Sequence, residues 1–221
     1  MDTITQPSLR QQQTQDRQED STGTTIVALS YNGGVIVAAD TRTSSGSYVS
    51  SRVTDKLDYV HDRIYCLRSG SAADTQTLAK YVRYYTNMHS VELNKLPHVK
   101  TIAQCFGNFM YEYKDVMSAS IIVAGWDPYN GGQVFSVPPG GSVMKSEYAL
   151  GGSGSGYIQS LVDDNFKTNM SHQEARELAI KAVSHAKKRD GSSGGCVRLV
   201  NITKDSVDRE FFDYNGLKIK D

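Results

Sequence analysis

Apolar residues form no pattern over the first 22 positions and then begin abruptly at Ile26-Val27-Ala28-Leu29. Residues 25–31 and 35–40 are β-branched, apolar runs separated by Asn32-Gly33-Gly34, and an Asn-Gly pair between such runs predicts a hairpin. Asp40-Thr41-Arg42-Thr43 then puts charge at the end of a strand that is otherwise apolar on both faces. Ser44-Ser45-Gly46-Ser47 reads as a loop and residues 48–56 as mixed extended chain. A turn at Val60-His61-Asp62-Arg63 leads into the strand Ile64-Tyr65-Cys66-Leu67. The period then lengthens. Ser71 with Asp74 resembles a capping box, and Ala72, Leu78, Ala79, Val82 and Tyr85 recur at helical spacing. A second helix is predicted over residues 99–113, with Ile102, Ala103, Phe106, Phe109 and Met110 on its buried stripe.

Strands follow at 120–125 and 133–137, with turns at Asp127-Pro128-Tyr129-Asn130-Gly131-Gly132 and Pro138-Pro139-Gly140-Gly141. A short extended piece at 147–151 precedes Gly152-Ser153-Gly154-Ser155-Gly156 and a helix that buries Ile158, Leu161 and Val162. Ser171 and Glu174 form a capping box for a helix reaching about residue 188. Asp190-Gly191-Ser192-Ser193-Gly194-Gly195 stops it, and a last hairpin pairs 196–202 with 207–212. Helices come in pairs between blocks of hairpins, which is not a βαβ alternation. The layered solution is two antiparallel sheets face to face with helix pairs outside, an α+β architecture.

Composition narrows the functional classes. The 221 residues suit one domain plus a tail, and 24 basic against 24 acidic residues leave no electrostatic footprint for nucleic acid or membrane. No apolar run is long enough to span a bilayer. Cys66, Cys105 and Cys196 are odd in number and far apart, which suits a reducing compartment rather than a disulfide framework. The five histidines form no ligand pair, so neither metal nor cofactor is expected. Residues 1–22 carry both charge signs without the apolar centre of a signal peptide and read as disordered. The glycosylation patterns Asn169-Met170-Ser171 and Asn201-Ile202-Thr203 carry little weight without such a signal.

Candidate chemistry concentrates where the leader meets the first strand, at Ser21-Thr22-Gly23-Thr24-Thr25-Ile26. Gly23 is a plain hinge and Thr24 a strand start on one reading. On the other, a cut between them frees an α-amine beside the Thr24 hydroxyl, and such an amine titrates at about 7.7–8.0, where it can serve as a base. Asp40 and Lys56 each lie at the end of a strand-like run. They are either a surface ion pair or a pair that holds an ammonium beside that hydroxyl. Gly70, just before a helix start, is a turn glycine or an N–H donor to a developing oxyanion. Gly191-Ser192-Ser193-Gly194-Gly195 matches G-x-S-x-G by letters, but a helix precedes and a strand follows, the reverse of a nucleophile elbow. Cys66 alternates within an apolar strand and reads as core.

Taken together, five co-linear motifs resemble the active β subunits of the 20S proteasome, over residues 24 to about 212. They are Gly23-Thr24-Thr25, Val37-Ala38-Ala39-Asp40-Thr41-Arg42, Val53-Thr54-Asp55-Lys56, Ser69-Gly70-Ser71-Ala72-Ala73-Asp74 and Asp190-Gly191-Ser192-Ser193-Gly194-Gly195. Arg42-Thr43-Ser44-Ser45-Gly46-Ser47-Tyr48 and Arg68-Ser69-Gly70-Ser71-Ala72-Ala73-Asp74-Thr75-Gln76 bring the chain nearest to the caspase-like type. Leu67, where a second cysteine is common in that type, is a small departure that touches packing.

The resemblance implies the N-terminal-nucleophile hydrolase fold, a four-layer αββα sandwich. It implies a propeptide, residues 1–23, removed by autolysis from a single catalytic domain, 24–221. Thr24 is then the nucleophile, its freed amine the base, and Asp40 and Lys56 the charge partners. Gly70 lines the oxyanion hole, and Ser153, Asp190 and Ser193 orient the amine and its water. Arg68 stands at the base of the pocket for the residue before the cut, with Thr43, Thr54 and Gln76 lining it. Cleavage after acidic residues is expected, since a guanidinium makes charge-assisted, bidentate bonds to a carboxylate. The expected partners are the other α and β subunits of a stacked-ring particle and unfolded polypeptide substrates, in cytoplasm and nucleus. A non-catalytic ring subunit of the same particle is the alternative; such subunits typically lack the threonine or the lysine, and this chain has both.

Overall fold

The structure is a computed structural model and describes residues 23–45, 48–214 and 217–219. The leader expected over residues 1–23 lies outside them apart from Gly23, as does part of the C-terminal Asn215-Gly216-Leu217-Lys218.

The first hairpin pairs β1 (Ile26–Tyr31) with β2 (Gly34–Asp40) through a two-residue turn in which Gly33 takes a φ of +116°, a conformation open to glycine. Short strands β3 (Thr43–Ser45) and β4 (Tyr48–Ser51) form a small ribbon, followed by β5 (Leu57–His61) and β6 (Ile64–Gly70). Helices α1 (Ala72–Leu93) and α2 (Val99–Glu112) come next, then strands β7 (Ala119–Asp127), β8 (Gly131–Val137), β9 (Met144–Ser146) and β10 (Tyr148–Gly151). Helices α3 (Gln159–Asn165) and α4 (His172–Arg189) lead to β11 (Val197–Thr203), β12 (Val207–Phe212) and β13 (Lys218–Ile219). One sheet has six strands in the order β10-β1-β2-β11-β12-β13, and the other has five in the order β5-β6-β7-β8-β9.

Strand periodicity explains the stacking. In β1, Val27 and Leu29 pack with Ile158, Val162 and the alanine-rich face of α4, whereas Ile26 and Ala28 meet Ile122, Ala124 and Val134 of the other sheet. Cys66, Ile121 and Val123 turn the outer face of the five-stranded sheet toward Val82, Ile102 and Phe106 of α1 and α2. Three apolar layers thus separate helices, sheet, sheet and helices, the αββα sandwich expected. Because β1 and β2 are buried on both faces, their sequences are continuously apolar instead of alternating.

Several boundaries differ from the sequence reading. The turn expected at Val60-His61-Asp62-Arg63 shrinks to Asp62-Arg63, because Val60 and His61 continue β5 and Arg63 takes a φ of +57°. Strand β9 was not expected; all three of its residues are exposed on a sheet edge, so it carries no alternation to read. Glu147, expected to begin the next strand, lies between β9 and β10. Helix α1 runs past Tyr85 to Leu93, where Asn94 stops it with a left-handed φ of 49°. The capping box at Ser171 and Glu174 is present, but Asp74 turns away from Ser71 to accept from Ser118 N–H at 3.3 Å, so only half of the first box forms.

Candidate active site

Gly23 and Thr24 lie just ahead of β1 of the six-stranded sheet, and both are buried. The close fit begins with the glycine: a Cβ built on residue 23 would lie 1.9 Å from Ser192 Cβ and 2.5 Å from the Ser192 carbonyl carbon. Only a residue without a side chain lets the chain pass the 190–195 loop at this point.

Asp40 ends β2 fully buried, and Lys56 directly precedes β5 at 5 % exposure. Their pairing is therefore not a surface one. Lys56 Nζ donates to Asp40 Oδ1 at 2.7 Å and to Gly23 carbonyl oxygen at 3.3 Å. Asp40 Oδ1 also accepts from Thr25 N–H at 2.9 Å, and its Oδ2 accepts from Gly194 N–H at 2.9 Å. One carboxylate thus ties β1, the segment before β5 and the 190–195 loop together. Burial pushes the Lys56 ammonium below the ordinary lysine value, while Asp40 pulls the other way by favouring the charged form.

A second carboxylate sits across the nitrogen of residue 24. Asp190 caps the C-terminus of α4; its Oδ1 accepts from Ser192 N–H, and its Oδ2 accepts from Ser153 Oγ at 2.7 Å and Ser193 Oγ at 2.6 Å. Ser153 Oγ in turn accepts from Thr24 N–H at 3.2 Å. Burial raises the proton affinity of Asp190, but the bonds from Ser193, Ser153 and Ser192 outweigh it and hold the carboxyl below the usual aspartate value. The loop is held from outside by Arg42, whose Nη1 donates to Gly191 carbonyl oxygen at 3.1 Å. A Cβ at Gly194 would lie 2.3 Å from Arg42 Cζ, so the guanidinium packs directly on the backbone of the loop.

Thr24, Lys56, Arg68, Gly70, Thr43, Thr54 and Gln76, all singled out in the sequence, line one cavity of about 130 Å³. Gly70 closes β6 with a φ of +104°, and a Cβ there would lie 2.4 Å from Ser118 carbonyl oxygen. Thr43 Oγ1 donates to Thr54 Oγ1 at 2.8 Å. Arg68 is 8 % exposed and engaged on three sides: Nη1 donates to Thr75 Oγ1, Nη2 to Asp55 carbonyl oxygen, and Nε pairs with the Asp58 carboxylate. Asp58 and Thr75 escaped the sequence reading. The pair Asp58–Arg68 depends on the β5–β6 register, in which Asp58 faces Cys66 and so stands diagonal to Arg68. The Ser193 loop is a helix-to-strand turn, which removes the elbow reading on geometry. Cys66 is fully buried in the core between β6 and α1, where burial pushes its thiol far up, away from thiolate chemistry.

The arrangement comprises a buried threonine hydroxyl, an ammonium on the carbonyl just before it, and a serine–aspartate pair on its nitrogen. That combination is suited to acyl transfer at residue 24.

A proteasome subunit family model matches residues 20–202. The chain is 49 % identical over 195 residues to proteasome subunit beta type-6 of Dictyostelium discoideum, covering 88 % of this chain and 91 % of that protein. It is 50 % identical over 190 residues to a probable proteasome subunit beta type-1 of Schizosaccharomyces pombe, covering 86 % and 84 %. Proteasome subunit beta type-9 of Oryzias latipes is 43 % identical over 200 residues, covering 90 % and 92 %. On these matches and on the αββα sandwich, the chain belongs to the proteasome subunit family, among its β subunits.

Proposed function

We propose that this chain is a threonine endopeptidase of the 20S core, made as a zymogen and matured by autolysis between Gly23 and Thr24. The single observation that carries the reading is the Lys56 ammonium, held by Asp40 and bonded to the Gly23 carbonyl oxygen. A cation on that oxygen draws electrons from the carbonyl carbon and stabilises the charge that develops when Thr24 Oγ attacks it. In that step the Oγ–C bond forms, the C–N bond breaks and the Oγ proton passes to the departing nitrogen, leaving residue 23 as an ester on Thr24 and the nitrogen as a free amine. Water then hydrolyses the ester, residue 23 departs as a carboxylate, and the hydroxyl is restored. The freed amine, still beside Ser153, is placed to take the hydroxyl proton when a substrate carbonyl occupies the vacated position. The methyl of threonine restricts χ1 and fixes the hydroxyl relative to that amine.

The chain acts among other α and β subunits of the particle, on unfolded polypeptides. Its three free cysteines fit the reducing cytoplasmic and nuclear compartments proposed for it. The decisive measurement is the intact mass of this subunit from assembled particles, for the native chain and for Thr24→Ala. The native chain is expected to begin at Thr24 and the variant to keep residue 1. A native subunit that retains its leader in active particles leaves the non-catalytic ring subunit as the better reading.

For specificity, Arg68 at the cavity wall is paired through Nε with Asp58. The second N–H on each of its Nη groups is what a carboxylate in the residue before the cut would take. Arg68→Ala is expected to lower kcat/KM on peptides with Glu or Asp at that position about 10–100-fold, the worth of one to two charge-assisted hydrogen bonds. Peptides with an apolar residue there should be affected far less. Unchanged turnover of acidic peptides would remove Arg68 from the pocket.

A further inference from the structure

Thr25 has no part in the roles assigned above, yet it touches both carboxylate centres of the site. It is fully buried at the entrance to β1. Its N–H donates to Asp40 Oδ1, and its hydroxyl lies 2.7 Å from Ser193 Oγ.

Counting protons fixes the direction of that last contact. A serine hydroxyl has one proton to give. Ser193 gives its proton to Asp190 Oδ2 at 2.6 Å, so between Ser193 and Thr25 the threonine is the donor. Ser153 gives its proton to the same carboxylate oxygen, so toward Thr24 nitrogen it is an acceptor. The result is a one-way chain from Thr25 through Ser193 to Asp190, with Ser153 joining from the opposite side. Gly154 makes room for the contact: a Cβ there would lie 1.9 Å from Thr25 Oγ1 and 3.1 Å from Ser193 Oγ, so the backbone of residue 154 packs directly against the pair. A hydroxyl that accepts a hydrogen bond becomes a stronger donor through the other side, so the Thr25 proton strengthens the Ser193–Asp190 bond.

We infer that Thr25 is a positioning residue of the proteolytic site, its hydroxyl proton locking Ser193, Asp190 and Ser153 in the one orientation in which Ser153 holds the nitrogen of Thr24. The inference rests on the reading of Thr24 as nucleophile.

The test compares Thr25→Val, which removes the hydroxyl at nearly constant shape, with Thr25→Ser, which keeps it and removes the methyl. The probe is an electrophilic peptide that esterifies the Thr24 hydroxyl, and uptake is followed by intact mass of this subunit in assembled particles. Thr25→Val is expected to slow acylation at saturating probe about tenfold, as loss of one hydrogen bond in a preorganised site does. Half-saturation should stay within about twofold of native, and Thr25→Ser should acylate at close to the native rate. Processing that fails in Thr25→Val and proceeds in Thr25→Ser supports the inference equally, because the same chain holds the nitrogen during the cut. Native-like acylation in Thr25→Val overturns it, as does equal impairment or failed processing of both variants, or a change in half-saturation alone. A native subunit that takes up no probe sinks the nucleophile reading and this inference with it.

Discussion

Lys56→Ala is expected to leave the chain uncut and to abolish turnover, with a loss of at least about 100–1,000-fold, the effect of removing one preorganised donor from a developing oxyanion. Two effects combine in this variant. The Gly23 carbonyl, and any substrate carbonyl that follows it, loses the ammonium that polarises it. Asp40 is left as a fully buried carboxylate without its cation, held by the Thr25 and Gly194 N–H groups. An orphaned buried charge costs about 3–5 kcal/mol, so thermal stability should fall as well. The double variant Asp40→Asn/Lys56→Met separates the two effects: it removes the orphaned charge and should recover much of the stability without recovering activity. Processing is read by intact mass, stability by thermal unfolding and turnover by peptide hydrolysis. Normal processing in Lys56→Ala would remove the lysine from the mechanism.

Gly23→Ala is expected to slow self-cleavage about 100-fold, because the added methyl collides with Ser192, including its backbone. Backbone cannot yield as a flexible side chain can. The carbonyl of residue 23 must therefore shift, and a misplacement of about 1 Å at a reacting centre costs on the order of 100-fold. Copies of the variant that do mature lose residue 23 and should turn over substrate at the native rate. This split between slow maturation and normal turnover distinguishes a fault in the leader from a fault in the site. A time course of subunit mass after assembly reads the first quantity, and hydrolysis normalised to mature subunit reads the second. Native-rate maturation would show that the tight passage at Ser192 has no bearing on the cut.

Much of this arrangement was legible in the chain because it follows local rules. The hairpin at Asn32-Gly33, the capping box at Ser171 and Glu174 and the apolar stripe of α2 are set by residues close in sequence. The burial of β1 and β2 on both faces showed as an unbroken apolar run, and Asp40 stood out as a charge at its end. Reading Asp40, Lys56 and Thr24 as one site needed the family resemblance, since the alternative of a surface pair is equally consistent with their spacing. What stayed hidden depends on register and on side-chain direction. Asp58 reaches Arg68 only through the β5–β6 pairing, and Thr25 reaches Ser193 only because residues 168 apart in sequence converge at the end of the sandwich. Strand β9, exposed along its length, leaves no periodic trace.

If Thr24 is freed by autolysis as proposed, the bond from Lys56 to the carbonyl of residue 23 has a consequence for the mature site. On departure of the leader the buried Lys56 cation would lose the Gly23 oxygen as an acceptor, and the cleft would keep an imprint of the group that left. Every later polypeptide docking its own carbonyl there would refill a seat first shaped around the chain's own backbone. Selectivity for backbone geometry would thus be inherited from maturation, and a particle whose cleft could not grip its own precursor would never be unlocked to work on others.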